Sequence, residues 1–200
     1  MQDNNSNNFI GVLLCGGKST RMGSDKGLLF SKEQRWFEKN YNLLSKIFPK
    51  VVVSINSDQL DKYKEIKPNY EYIIDSADFI DGPLLGIISS HSKYPTNELF
   101  VLACDMIEMT ETPIRNILSF YQNTVGYDFY LYQNETFLET LCGIYTVRGI
   151  EHLRERILEK DKNFAIHKLI SSSKVFSIPV ALEYIGMFIN YNSLKVEDRL

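Results

Sequence analysis

Short apolar runs bounded by turn residues alternate along this chain with stretches whose apolar positions recur every three or four residues. The runs at 9–14, 51–55, 72–74 and 99–104 predict buried strands of the kind found in a parallel sheet. Between them, 33–47, 58–66 and 84–92 have helical spacing, giving a β-α-β-α order and an open sheet covered by helices. Thr112-Pro113 predicts a further helix to about residue 122, with the threonine as N-cap and the proline in the first turn. Segments 129–132 and 138–145 flank Gln133-Asn134-Glu135 and predict a hairpin added to the sheet. Residues 148–159 and 164–170 read as helices, and 175–178 and 184–189 as late strands. Polar residues 1–8, MQDNNSNN, read as a disordered tail, and 9–200 as one domain without internal repeats.

Open α/β sheets bind ligands at the carboxyl ends of their strands, so the residues following each strand carry the candidate chemistry. The first strand runs into LLCGGKSTRMGSDKG, Leu13 to Gly27. Its GGKST core resembles the end of a P-loop, but the glycine that the Walker spacing requires falls on Val12, and Gly16-Gly17 does not fit the dinucleotide fingerprint either. What remains is a loop with Gly16, Gly17, Gly23 and Gly27 interleaved with Lys18, Arg21 and Lys26. Glycines let backbone N–H groups approach phosphate oxygens, and the cations supply charge, so the loop reads as a phosphate grip.

Local charge matters because the chain as a whole has little. With a net charge of −3, 44% hydrophobic and 24% charged residues, it has no global attraction for nucleic acid or anionic lipid. Cys15, Cys104 and Cys142 are far apart and form no C-x-x-C pair, which disfavours a disulfide framework or zinc site and fits a reducing cytoplasm. No apolar run is long enough to span a bilayer, and the N-terminus lacks the pattern of a signal peptide.

The loop LCGGKSTRMGSDKG resembles the L-A-G-G-x-S-x-R-M-G-x-D-K signature of the molybdenum cofactor guanylyltransferases, with Cys15 in place of the alanine. The likeness continues at later strand ends. Asp75 is followed by Gly82-Pro83-Leu84-Leu85-Gly86, similar to the family's aspartate and G-P-L-x-G segment; LFVLACDM places Asp105 where the family has its Mg²⁺-binding aspartate. MFINYNSL resembles F-x-N-x-N-T-P at Phe188, Asn190 and Asn192, with Ser193-Leu194 in place of Thr-Pro. LETLCGIY resembles E-P-L-x-x-x-Y, with Glu139 and Tyr145 matching and Thr140 in the proline's place. Ser54 stands where the family has a nucleotide-binding asparagine, and Asn56 follows two residues later.

The resemblance implies a three-layer α/β/α nucleotidyltransferase of glycosyltransferase-A-like, Rossmann-like fold with a mostly parallel open sheet. It implies Mg²⁺-dependent transfer of GMP from GTP to molybdopterin with release of pyrophosphate. Lys26, Arg21 and Asp105 are then the catalytic candidates. Leu14, Cys15, Gly16, Gly17, Lys26, Ser54, Asp75 and Asp105 form the nucleotide side, and Gly82, Pro83, Leu84 and Gly86 the pterin side. Asp105 is the metal ligand, with Asn190 and Asn192 as accessory candidates. Other cofactor-biosynthesis proteins and recipient molybdoenzymes are the implied partners, with neither nucleic acid nor membrane among them.

The chemistry suits the residues present. A phosphate monoester is largely ionised near neutral pH, its second pKa being about 6, so the reaction needs charge neutralisation more than a general base. His91, His152 and His167 accordingly read as surface or packing residues. Two alternatives stand beside this reading: a related transferase using CTP or a sugar phosphate, and a non-catalytic carrier of the molybdenum cofactor.

Overall fold

The computed structural model describes residues 8–16, 25–76, 82–159 and 166–191. Strand β1 (Phe9–Leu14) leads to a 3₁₀ turn (Lys26–Leu28) and a small hairpin of β2 (Phe30–Ser31) and β3 (Gln34–Arg35). There follow α1 (Trp36–Ser45), β4 (Val51–Ile55), α2 (Leu60–Ile66), β5 (Glu71–Ile74), α3 (Pro83–Lys93) and β6 (Glu98–Ala103). Then come α4 (Glu111–Asn123), β7 (Phe129–Gln133), β8 (Leu138–Tyr145), α5 (Val147–Glu159), α6 (Ile166–Ile170) and β9 (Val175–Pro179). A 3₁₀ helix at Leu182–Phe188 closes the described chain.

Among the described residues the main sheet has seven strands in the order β5-β4-β1-β6-β8-β7-β9. Pairings β5-β4, β4-β1 and β1-β6 are parallel; β8 is antiparallel to both β6 and β7, and β9 is parallel to β7. The predicted hairpin is therefore present, and its strand β8 is inserted beside β6. Alternation along β1 sends Phe9 and Leu13 to one face of the sheet and Ile10, Val12 and Leu14 to the other. The first face packs against Phe37 and Leu44 of α1 and Ile114 and Ile117 of α4. The second packs against Leu84 and Ile87 of α3, Ile150 and Leu153 of α5 and Leu169 of α6. Three layers result, because strands covered on both faces must be apolar throughout and each helix must bury one stripe.

Several sequence expectations shift. Residues 33–35 do not belong to the helix predicted at 33–47: Lys32 has φ 57°, which turns the chain into the β2-β3 hairpin, and α1 begins at Trp36. The N-cap position of α4 is Thr110, not Thr112, with no capping hydrogen bond from its side chain, and Pro113 lies in the first turn. The strand expected at 184–189 is a 3₁₀ helix. It opens with the Tyr184 N–H donating to the Ala181 carbonyl, and only Phe188 of that helix is buried, with its ring 4.9 Å from that of Tyr132. Of the predicted tail, residues 1–7 lie outside the described residues, whereas the Asn8 carbonyl accepts a hydrogen bond from Asn97 Nδ2 at 3.2 Å. Residues 164 and 165 of the predicted helix 164–170 also lie outside them. No helix among the described residues is long and apolar enough to cross a membrane.

Candidate functional site

The four parallel strands β5, β4, β1 and β6 are neighbours, so the residues that follow them form one rim. After β1, the Cys15 and Gly16 N–H groups both donate to the Ser54 carbonyl, each at 2.9 Å. Leu14 and Cys15 are buried, so their side chains belong to the core, and burial pushes the Cys15 thiol up. What the loop offers at this point is backbone. Gly17, Lys18, Arg21 and Gly23 lie outside the described residues.

At β4, Ser54 is buried and its Oγ donates to Asp75 Oδ1 at 2.7 Å. Two glycines make this packing possible. A Cβ on Gly16 would lie 2.4 Å from Asp75 Oδ2, and one on Gly86 would lie 2.2 Å from Ser54 Oγ and 2.9 Å from Leu14 Cδ2. The second carboxylate oxygen of Asp75 thus sits against the backbone of the first loop. Asn56 is also near, its Oδ1 falling 3.5 Å from the point that a Cβ on Gly16 would occupy.

Burial raises the Asp75 carboxyl from its ordinary value near 3.8 to about 6, and the Ser54 hydrogen bond only partly offsets this. Between these values the unfolded chain loses its proton first, so stability falls as pH rises from about 4 to 6 and stays lowered above that. Asp75→Asn removes the charge while keeping an acceptor for Ser54. It is expected to stabilise the protein at pH 7 by on the order of 1 kcal/mol, allowing for solvent screening, and to give no gain at pH 4. Urea unfolding at the two pH values checks this; an equal effect at both would disprove the charge argument.

After β6, the Lys26 Nζ and Asp105 Oδ2 are 3.0 Å apart, in an ion pair that joins the first loop to the end of the central parallel strands. The other carboxylate oxygen, Asp105 Oδ1, is buried and has no hydrogen-bond partner among the described residues. The turn that carries Lys26 is held by Asp25. Asp25 Oδ1 accepts from the Gly27 N–H at 3.1 Å and the Tyr63 hydroxyl at 2.9 Å, and Oδ2 accepts from Gln59 Nε2 at 2.6 Å. Burial pushes the Tyr63 hydroxyl far above its ordinary range, so it remains a donor. Gln59 Nε2 also reaches the Cys15 carbonyl at 3.2 Å.

Asp25, Gln59 and Tyr63 are not among the sequence candidates. Asp25 has a readable signal, since an aspartate before a short helical turn is an N-cap. Gln59 and Tyr63 have none.

The remaining candidates divide by place. Gly82, at φ 75°, and Pro83 are exposed where α3 begins, whereas Leu84 is core and Gly86 is packed against Ser54. Glu139 is buried on β8, accepts from Asn134 Nδ2 at 2.8 Å and has its carboxyl pushed up by burial; Thr140 beside it is buried too. Asn190 is exposed, and the next residue, Tyr191, donates its N–H to the Asp105 carbonyl at 3.3 Å, which brings this segment to the same rim. Asn192 lies outside the described residues. Among those described, no group of three or more His, Cys, Asp or Glu forms a ready-made metal cage. A single carboxylate with a free buried oxygen is a different donor set, suited to a hard cation that brings phosphate and water ligands with it.

Comparison with known proteins agrees with this architecture. Over 135 residues the chain is 33% identical to a molybdenum cofactor guanylyltransferase of Campylobacter jejuni subsp. doylei, a match covering 67% of this chain and 66% of that protein. It is 27% identical over 159 residues to a molybdenum cofactor biosynthesis bifunctional protein of Synechocystis, covering 80% of this chain and 44% of the relative. The chain thus spans just under two thirds of the first relative's length and less than half of the second's. The crystal structure of molybdopterin-guanine dinucleotide biosynthesis protein A from Archaeoglobus fulgidus superposes with a TM-score of 0.76 at 18% identity, over 92% of this chain and 93% of that one. The family model described as the MobA-like NTP transferase domain matches residues 11–174, most of the chain, and the protein belongs to that family.

Proposed function

We propose that this protein transfers GMP from GTP to molybdopterin, releasing pyrophosphate and forming the guanine dinucleotide form of the molybdenum cofactor. The observation that carries the reading is the contact between Lys26 and Asp105, which joins a glycine-rich cationic loop to a strand-end carboxylate with one unpartnered oxygen. Relatives named for this activity support it.

The residues fit Mg²⁺. Asp105 Oδ1 would hold the ion, and Asn190 and Asn192 lie on the segment that could add amide oxygens. When bound, the ion supplies neutralisation of charge on the α-phosphate and the leaving pyrophosphate. Lys26 exchanges its carboxylate partner for the triphosphate and stabilises charge that accumulates on the leaving group; Arg21 has the same sign and lies in the same loop. Asp75 Oδ2, beside Gly16, serves as an acceptor for the base, and guanine presents N–H donors along one edge. Ser54 holds Asp75 in that orientation. Gly82 and Pro83 face the pterin side at the start of α3. The attacking phosphate arrives ionised, so the histidines have no part in the reaction. A cytoplasmic setting suits the three buried free thiols Cys15, Cys104 and Cys142.

Ser54 in the position of the family's asparagine favours one second reading, transfer of a cytidylyl group. Thermal unfolding with Mg²⁺ and each of GTP, CTP, ATP and UTP separates the two. A ligand at a hundredfold its dissociation constant adds about 2.7 kcal/mol. The expected result is a shift with GTP that is diminished in Lys26→Met. Preference for CTP would replace GMP by CMP in the reaction, and a response to no triphosphate would leave a cofactor carrier as the better description.

A further inference from the structure

We propose that Asn40 is a positioning residue for Asp105, fixing from inside α1 the turn that presents the carboxylate. The inference rests on the reading of Asp105 as the residue that holds the divalent cation.

Asn40 is fully buried in the middle of α1, among Trp36, Phe37 and Leu44, where the helical pattern calls for an apolar side chain. A buried amide is costly unless its hydrogen bonds are made. Here Nδ2 lies 3.1 Å from the Cys104 carbonyl, 3.4 Å from that of Ala103 and 3.5 Å from that of Met106. These three peptide oxygens bracket Asp105 on both sides. They fall where β6 leaves the sheet, its pairing with β8 ending at Leu102 and with β1 at Ala103; the Ala103 and Met106 carbonyls also accept from the Met106 and Met109 N–H groups at 3.3 and 3.2 Å, bonds that Asn40 supplements. The turn is fastened elsewhere by the Cys104 N–H to the Leu14 carbonyl at 3.0 Å and by the Tyr191 N–H to the Asp105 carbonyl at 3.3 Å. Asn40 adds a tie from the helical layer.

The amide's other end shows that stability alone does not explain the residue. Asn40 Oδ1 is buried and has no hydrogen-bond partner among the described residues. A leucine, of the same branching though bulkier, would remove that unpaired oxygen and with it the donor to the Cys104 carbonyl, so the asparagine accepts one unpaired atom in order to hold the turn. Catalytic groups must be held within about 0.5 Å and 10–20° of their productive geometry, and a peptide free to rotate beside Asp105 would exceed that.

The test uses the full chain with Mn²⁺ and a non-hydrolysable GTP analogue, reading bound Mn²⁺ by electron paramagnetic resonance. Asn40→Leu is expected to raise the Mn²⁺ dissociation constant by about tenfold or more, the usual effect of losing a group that orients a metal ligand. In turnover it should lower kcat while leaving KM for the nucleotide within about threefold, with part of the rate restored by excess Mn²⁺. Asn40→Ser, which leaves room for a water that can donate to the Cys104 carbonyl, is the second variant should leucine prevent folding, and a smaller rise of several-fold is expected. Mn²⁺ affinity unchanged within twofold in a folded variant, with only the melting temperature altered, would reduce Asn40 to a packing residue. Failure of the parent protein itself to bind Mn²⁺ with the analogue would instead overturn the underlying assignment of Asp105, and the two failures are distinguishable.

Discussion

Asp105→Asn is expected to slow the proposed nucleotidyl transfer by a factor on the order of a thousand while leaving the fold about as stable as before. The rate effect follows from removing the charge at the strand end that Lys26 touches. Loss of one group aimed at transition-state charge typically costs a hundredfold to a thousandfold, and the upper end of that range is expected if Asp105 holds the cation as proposed. The stability effect follows from the same geometry read the other way. One Asp105 oxygen is buried without a partner among the described residues and the other is tied to a partly exposed ammonium, so neutralising the group removes a desolvation cost together with an ion pair of modest worth. Lys26→Met is expected to be comparably slow. Because the two side chains are in contact, the double variant should lose little more than the worse single one. Single-turnover measurement of pyrophosphate release decides the matter: more than a tenth of the parent rate in Asp105→Asn would remove Asp105 from the reaction.

Asp25→Ala is the second large effect, and it acts first on folding. Asp25 accepts three hydrogen bonds, from the Gly27 N–H, the Tyr63 hydroxyl and the Gln59 amide. Removing the acceptor strands a fully buried tyrosine hydroxyl and releases the turn that carries Lys26. Leaving a buried donor unsatisfied costs about 1–3 kcal/mol, and loss of the N-cap adds to it, so a total of roughly 2–4 kcal/mol is expected. Asp25→Asn retains an acceptor oxygen for Gly27 and Tyr63 and should recover about half of the loss. The urea midpoint at unchanged m-value measures both; a loss under about 1 kcal/mol in Asp25→Ala would mean that the Asp25 network does not anchor the loop.

What can be read from the sequence and what cannot differ for a physical reason. Strands β1, β4 and β6 are covered by helices on both faces, so nearly every residue is apolar and the run declares itself. That Asp75 and Asp105 share one rim with the first loop is legible because residues following neighbouring parallel strands come out at the same edge of the sheet. The 3₁₀ helix at Leu182–Phe188 is not: a short apolar run looks the same whether it pairs in a sheet or coils, and what fixes it is the packing of Phe188 on Tyr132 from another part of the chain. Asn40 and Gln59 are invisible for a related reason. A polar residue in a helical stretch normally faces water, yet Asn40 reaches carbonyls more than sixty positions away and Gln59 reaches Asp25 thirty-four positions back. Spacing along one helix contains no trace of such contacts.

The central place of β1 in the sheet has a consequence for how the protein is made. Its partners on the two sides, β4 and β6, are supplied about forty and about ninety positions later in the chain. During translation the segment FIGVLL therefore emerges with neither edge paired, and at about 5–20 residues per second it waits on the order of ten seconds for the second partner. An apolar ribbon with open edges is the kind of segment that adds strands from other chains. The strand at the centre of the sheet is thus one whose newborn form benefits from a chaperone's cover, and the ribosome sets the length of that interval.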